Sequence, residues 1–224
     1  MRIWYQSSTA MGSDTMWAPY QESLERHVQK VARTDTKVDV YGVKVTHPLL
    51  ERSRYVQYLN QAQIINNAIT AEREGYDVFC VGCTLDPGYY EVREVISIPV
   101  AFLSESCLHL ASILADKFSL IAYNRNILRG LEKQMKQYGV AEQYVPCHTF
   151  SLNMPELIGG FSRPRPIIDA VKKAGREAVE KGAGILITAC NILNMVLVDA
   201  GLTEIDGVPI MDTAGTMVKV AEFM

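Results

Sequence analysis

The sequence predicts an α/β protein built of two similar halves, each a doubly wound parallel sheet, related by a pseudo-twofold with a site at their junction. Three observations carry this. First, short β-rich runs alternate with longer helical patterns along the whole chain. Second, Cys83 and Cys190 each close an apolar run: Asp77-Val78-Phe79-Cys80-Val81-Gly82-Cys83, then Thr84, and Gly184-Ile185-Leu186-Ile187-Thr188-Ala189-Cys190, then Asn191. Third, a proline triplet recurs beyond each run, Ile98-Pro99-Val100 and Val208-Pro209-Ile210. The same helical spacing then returns, Leu108 and Ala111 in one place and Val218 and Ala221 in the other. The cysteines lie 107 positions apart and the prolines 110, so the repeat holds register to within a few residues.

Taken in order, strands are expected at 3–6, 38–45, 78–81, 100–103, 119–123, 144–150, 185–189 and 210–211. Helical spacing joins Trp17, Leu24, Val28 and Val31, then Tyr55, Leu59, Ala62, Asn66 and Ile69. It returns at Ile127, Leu131, Met135 and Tyr138, and at Ile167, Val171, Ala174 and Ala178. The nearly unalternating apolar strands beside the cysteines predict burial on both sheet faces, the mark of a parallel, flavodoxin-like sheet. Residues 1–98 are expected to form the first half, 99–201 the second, and 202–224 to pack back on the first.

Composition narrows the function. With 224 residues the chain suits one large domain or two small ones and buries a core without staples. A net charge of −3 and scattered basic residues give no field for nucleic acid or an anionic membrane, which leaves a small-molecule substrate as the expected partner. The longest apolar stretch, 185–198, is interrupted by Asn191 and Asn194 and is too short to span a bilayer. Five cysteines are an odd count, and the N-terminus reads as a strand rather than a secretory leader. Reduced thiols and a cytoplasmic location are therefore expected. The chain stops at Met224 inside a helical pattern, so a short continuation is expected beyond it.

In such sheets ligands bind beyond the carboxyl ends of the strands. Gln6, Thr46, Cys83, Tyr123 and Cys190 all fall at or just past such ends, and a cavity at the junction could collect them. Two thiols facing one cavity can act as acid and base on opposite faces of a substrate. Cys83 precedes Asp86-Pro87, which resembles a helix opening with Asp as N-cap; a thiol there reads as an activated acid or base, or as a small buried residue. Thr84 and Asn191 could hold the oxygens of a carboxylate or enolate, or serve turn chemistry. The loop Gln6-Ser7-Ser8-Thr9 suits a carboxylate or ring amide, or forms an N-cap cluster. Tyr123 aligns with Gln6 and could donate to a substrate oxygen, or end its strand with the hydroxyl in water. His47 could line the cavity. Cys80, Cys107 and Cys147 fit core positions. No nucleotide-binding signature, phosphate loop or metal-ligand spacing is present, so no cofactor and no metal are expected.

The stretch Cys83-Thr84-Leu85-Asp86-Pro87-Gly88, then Val92-Arg93-Glu94, Ile98-Pro99-Val100 and Phe118-Ser119-Leu120-Ile121, resembles the aspartate/glutamate/hydantoin racemase superfamily, and within it the hydantoin and allantoin racemase branch. There the first motif usually reads Cys-Phe-Gly-Asp-Pro-Gly. Around the second cysteine this chain has Ala189-Cys190-Asn191-Ile192-Leu193 where the branch has Gly-Cys-Ala-Gly-Met. Gln6-Ser7-Ser8-Thr9 replaces an Asn-Pro-Asn loop, and Tyr123 is similar to the active-site tyrosine of maleate isomerases and arylmalonate decarboxylases. The resemblance implies a cofactor-independent isomerase with Cys83 and Cys190 as proton-transfer pair, Gln6, Ser7, Ser8, Thr46, Thr84, Tyr123 and Asn191 as substrate contacts, and a homo-oligomer. It also leaves a maleate-type cis–trans isomerase, and outside the enzymes a binding protein for a small acid.

Overall fold

The computed structural model describes residues 1–47, 50 and 53–224. It divides into two compact units, Met1–Leu103 with Ala214–Met224, and Ser104–Thr213. The first unit runs β1 (Arg2–Gln6), α1 (Ala18–Val31), β2 (Lys37–Tyr41), α2 (Arg54–Arg73), β3 (Val78–Val81), α3 (Tyr89–Val95) and β4 (Val100–Phe102). All four strands are parallel, in the order β2-β1-β3-β4. Every residue of β3 and β4 is buried, because helices cover both faces, and this is why the apolar runs do not alternate.

The core of this unit gathers on Trp4, whose ring stacks on Tyr41 at 3.7 Å and meets Tyr76 edge-on at 5.1 Å, above Ile64, Phe79 and Phe102. The second strand stops at Tyr41, four residues short of the expected end. Gly42 explains it: a Cβ there would lie 2.5 Å from both Met11 N and Thr9 O, so the backbone after β1 crosses at this point. The Val43 N–H accordingly donates to Thr9 O (3.0 Å) instead of extending the ladder. Gly42→Ala is expected to push that loop aside and destabilise the fold by about 1–3 kcal/mol, measured by urea denaturation. Helix α1 buries Tyr20, Leu24 and Val28, close to the expected stripe. Helix α2 does not follow expectation: its sheet-facing residues are Asn60, Ile64, Ala68 and Ala71, while Tyr55, Tyr58 and Leu59 are exposed.

The second unit contains α4 (Leu103–Leu114), β5 (Phe118–Ile121), α5 (Arg125–Gln137), α6 (Met154–Gly159), α7 (Arg165–Glu180), β6 (Ile185–Thr188), α8 (Asn191–Asp199), β7 (Glu204–Ile205) and β8 (Val208–Met211), with α9 (Thr213–Phe223) beginning at its end. Strands β5, β6 and β8 are parallel, and β7 adds antiparallel to β8, giving the order β5-β6-β8-β7. The expected strand at 144–150 is reduced to one parallel bridge, Phe118↔Tyr144. Pro146 has no N–H to continue the ladder. Side chains take over there: Ser119 Oγ donates to Val145 O (2.7 Å) and Lys181 Nζ to Pro146 O (3.1 Å).

With that bridge counted, the second sheet repeats the first: the 144 segment, β5, β6 and β8 take the places of β2, β1, β3 and β4. The registers agree as well: Phe79, four residues before Cys83, pairs with Val100, and Leu186, four before Cys190, pairs with Ile210, each partner directly following its proline. Because each post-proline strand pairs within the sheet of its own cysteine strand, the units divide five residues later than 98/99, and the segment 202–213 stays with the second unit. Only 214–224 joins the first, where Glu222 Oε1 accepts the Arg33 N–H (2.6 Å). Hairpin β7–β8 was not expected. It turns through Asp206 and Gly207, both at positive φ (50° and 80°), the geometry that Asp-Gly favours.

Candidate active site

Cys83 lies two residues beyond β3 and is half-buried. The Asp86 N–H donates to Cys83 O (3.0 Å), closing a turn around the thiol. Within it the Leu85 N–H donates to Cys83 Sγ, and the Ser8 hydroxyl donates to the same sulfur. Burial nevertheless pushes the Cys83 thiol above its ordinary value; those two hydrogen bonds work against the shift, and the Asp86 carboxylate adds to it. This differs from the expected dipole-lowered thiol. Asp86 is not an N-cap: it sits at φ 42°, and the helix opens later, at Tyr89, with Gly88 as its left-handed cap. The seven-residue α3 therefore does not begin at the cysteine. Thr84 is buried beside it.

The loop after β1 is bonded within itself and to the segments around it. Ser7 Oγ and Thr9 Oγ1 are 2.9 Å apart and both side chains are buried. Of Gln6, Ser7, Ser8 and Thr9, only Ser8 keeps part of its surface open. Gln6 is corrected from substrate contact to scaffold. Its Oε1 accepts from Trp4 Nε1 and from Asn67 Nδ2 (both 2.9 Å), its Nε2 donates to Ser7 O (2.8 Å), and the residue has no exposed surface. Thr46 Oγ1 accepts the Ala10 N–H (2.5 Å), which ties the loop down from outside, and His47 follows it half-buried. Asn60, on α2, supports Ser8 by donating to its carbonyl (3.3 Å).

Cys190 lies two residues beyond β6 and is buried. It is itself the N-cap of the nine-residue α8, at φ −163° and ψ 131°. Free N–H groups and the helix dipole favour negative charge at such a position. Asn191 is buried and its Oδ1 accepts from Thr213 Oγ1 (3.3 Å). Asn194 Oδ1 accepts the Thr213 N–H (3.0 Å), and its Nδ2 donates to Asp212 Oδ1 (3.0 Å). The two asparagines that broke the apolar run thus fasten α8 to the end of β8. Sequence reasoning did not find Asp212, Thr213 or the role of Asn194, although the polar interruption was its trace. Asn194→Ala strands a buried N–H and is expected to cost about 1–3 kcal/mol, read as a lowered denaturation midpoint.

Strand registers revise one correspondence. Ile3 pairs with Val78, five residues before Cys83, and Phe118 with Ile185, five before Cys190. Gln6 therefore matches Ile121, and the match of Tyr123 is Ser8, the residue bonded to Cys83. Tyr123 is buried, so its hydroxyl is not a solvent-facing strand terminus. Cys80 is fully buried and its thiol is pushed far up by that burial; Cys107 Sγ contacts Thr213 O at 3.7 Å. Among the described residues no His, Cys, Asp and Glu cluster is arranged to hold a metal ion, and no helix is long and apolar enough to cross a membrane.

Two parallel-sheet α/β units of one topology, each ending its central strand at a cysteine, define a duplicated flavodoxin-like class. A family model described as Asp/Glu/Hydantoin racemase matches residues 18–221, and the chain belongs to that family. It is an isomerase of the racemase type. Among its relatives is the hydantoin racemase of Pseudomonas sp. (strain NS671), 30% identical over 203 residues, covering 90% of this chain and 79% of that one. A hydantoin racemase of Paenarthrobacter aurescens is 26% identical over 205 residues, covering 90% and 84%. Among solved structures, an allantoin racemase from Klebsiella pneumoniae superposes with a TM-score of 0.85 at 21% identity, covering 100% of this chain and 86% of that one.

Proposed function

We propose that the chain racemises a hydantoin- or allantoin-like cyclic ureide without a cofactor, with Cys83 and Cys190 as the proton-transfer pair. The observation that carries this is the equivalence of the two cysteines: same strand, same distance past its end, in sheets of the same order and register. One thiolate takes the proton alpha to a carbonyl, so a C–H bond breaks and an S–H bond forms. The electron pair moves onto the carbonyl oxygen as an enolate. The other thiol returns a proton to the opposite face, and the next turnover starts with the thiols exchanged. Ser8, Thr84, Asn191 and Tyr123 are the proposed contacts to substrate oxygens, while Gln6, Ser7 and Thr46 hold the loop. The enzyme works as a homo-oligomer in the reducing cytoplasm.

One feature favours a neutral ring over a dicarboxylate. Asp86 raises the Cys83 thiol electrostatically and would oppose a further carboxylate beside it. The test is proton NMR in D2O over hydantoins, allantoin, amino acids and dicarboxylates. Loss of the alpha-proton signal on ureides alone supports the reading; exchange confined to amino acids or diacids overturns it.

The thiolate is the base, so the rate for the enantiomer that Cys83 deprotonates rises with pH towards a plateau above its raised pKa. Ser8→Ala removes a bond that lowers that pKa, and this limb of the kcat/KM profile is expected to move to higher pH. Asp86→Asn removes a charge that raises it and is expected to move the limb lower. Shifts of the same sign in both variants would contradict the assignment.

A further inference from the structure

Helix α2 leads directly into β3 and runs antiparallel to it, so its first turns stand past the strand ends, where Ser8 and Cys83 lie. Its inward stripe, Gln57, Asn60, Ile64, Ala68 and Ala71, recurs at the three- and four-residue spacing of one helix face. Burial along the stripe is graded. Ile64, Ala68 and Ala71 are wholly buried, Asn60 is 1% exposed and bonded to Ser8, and Gln57, one turn further out, is half-buried. The Asn60 carboxamide is unevenly bonded. Its Nδ2 donates to Ser8 O (3.3 Å), and because a carbonyl only accepts, this fixes which end of the amide is which. Its Oδ1 is shut off from solvent and has no hydrogen-bond partner among the described residues. A buried acceptor left unpaired costs about 1–3 kcal/mol, so the atom calls for a donor. Gln57 carries one, three residues before Asn60 on the same face.

We infer that Gln57 is a specificity-determining residue that accepts a hydrogen bond from a ring N–H of the substrate, its amide oriented by Asn60. Turned onto Asn60, Gln57 Nε2 gives Oδ1 the donor it lacks. Gln57 Oε1 is then left above Ser8 as an acceptor. The reverse orientation would set Gln57 Oε1 against Asn60 Oδ1, acceptor to acceptor. The bonds therefore run in one direction: substrate N–H to Gln57, Gln57 to Asn60, and Asn60 to Ser8 O, while the Ser8 hydroxyl donates to Cys83 Sγ. Such an arrangement takes a neutral ureide ring, whose N–H groups flank the carbonyl carbons. It disfavours a carboxylate at the same place, because an ionised carboxylate offers acceptors only. A site built around a substrate N–H also discriminates against an analogue that lacks it, since the acceptor is then left unpaired. The inference deepens the ureide reading proposed above and rests on it.

The test takes the best ureide substrate of the exchange panel and the same ring methylated at each nitrogen in turn. The kcat/KM values are measured by polarimetry for wild type, Gln57→Leu and Gln57→Met, with circular dichroism melts as a check on folding. In wild type, methylation of one nitrogen is expected to lower kcat/KM by roughly 10-fold, the loss of one hydrogen bond. Both variants are expected to lose a similar factor on the unmethylated ring, chiefly through KM, with unchanged melts. Their penalty for the methyl group is expected to shrink to within about 2-fold, because the bond it blocks is already gone. A wild type that exchanges no ureide removes the reading on which the inference rests, and the inference with it. An active wild type with no penalty at any ring nitrogen, or one whose penalty persists in both variants, overturns the inference alone.

Discussion

Under the proposed mechanism, Cys83→Ser and Cys190→Ser are each expected to lower racemisation in both directions by about 10³-fold or more, with the fold intact. A serine hydroxyl is too weak an acid to supply an alkoxide at neutral pH, so the variant loses the proton transfer on one face. Both directions fail together, because each enantiomer needs a base on one side and an acid on the other. Neither substitution removes a cap or a buried apolar side chain of any size. Cys83 is half-buried, and Cys190 caps α8 through its extended backbone rather than its sulfur. The loss is therefore expected in kcat with an unchanged melting curve. Polarimetry from each pure enantiomer checks it, and wild-type rates in both variants would remove the mechanism.

Gly82→Ala is expected to destabilise the first unit by about 2–3 kcal/mol and to lower activity with it. A Cβ at Gly82 would lie 2.2 Å from Tyr5 Cε1 and 2.7 Å from Cζ, and the Tyr5 ring has no exposed surface into which to retreat. The displaced neighbours would be Cys83 and the loop that carries Ser8. The second unit shows how the clash is avoided there: Ala189 takes the place of Gly82, and Leu120 takes the place of Tyr5. Gly82→Ala/Tyr5→Leu is accordingly expected to recover most of the stability that Gly82→Ala alone loses. Urea denaturation of the two singles and the double measures that coupling; additive losses would mean that the ring is not what Gly82 accommodates.

Much of the fold was legible because duplication constrains it twice. Cys83 and Pro99, Cys190 and Pro209 marked the same strand pair in each sheet, and β3–β4 and β6–β8 stand in that register. Parallel strands covered on both faces also read plainly as apolar runs. What failed was information held by neighbours distant in sequence. The second strand ends where Gly42 meets the loop of Thr9 and Met11, and the 144–150 run is halted at Pro146 while side chains bond its carbonyls. Helix α2 misled because apolar side chains are spread over both its faces among Asn and Gln, so spacing picked out the exposed one. At the candidate site the residue types were legible but not their orientations. Gln6 and Ser8 are equally polar, and only the pairing of Gln6 with Trp4 and Asn67 shows that it serves the core. Asp206-Gly207 was a hairpin signal in plain view.

In the proposed mechanism the two thiols serve opposite faces of one carbon atom. Its most direct measurement is alpha-deuterium incorporation in D2O, followed separately for each pure enantiomer with Cys83→Ser and Cys190→Ser. Each variant is expected still to exchange the alpha proton of one enantiomer without inverting it, and the two variants are expected to choose opposite enantiomers. Exchange of the same enantiomer by both variants, or of both enantiomers by either one, would contradict it.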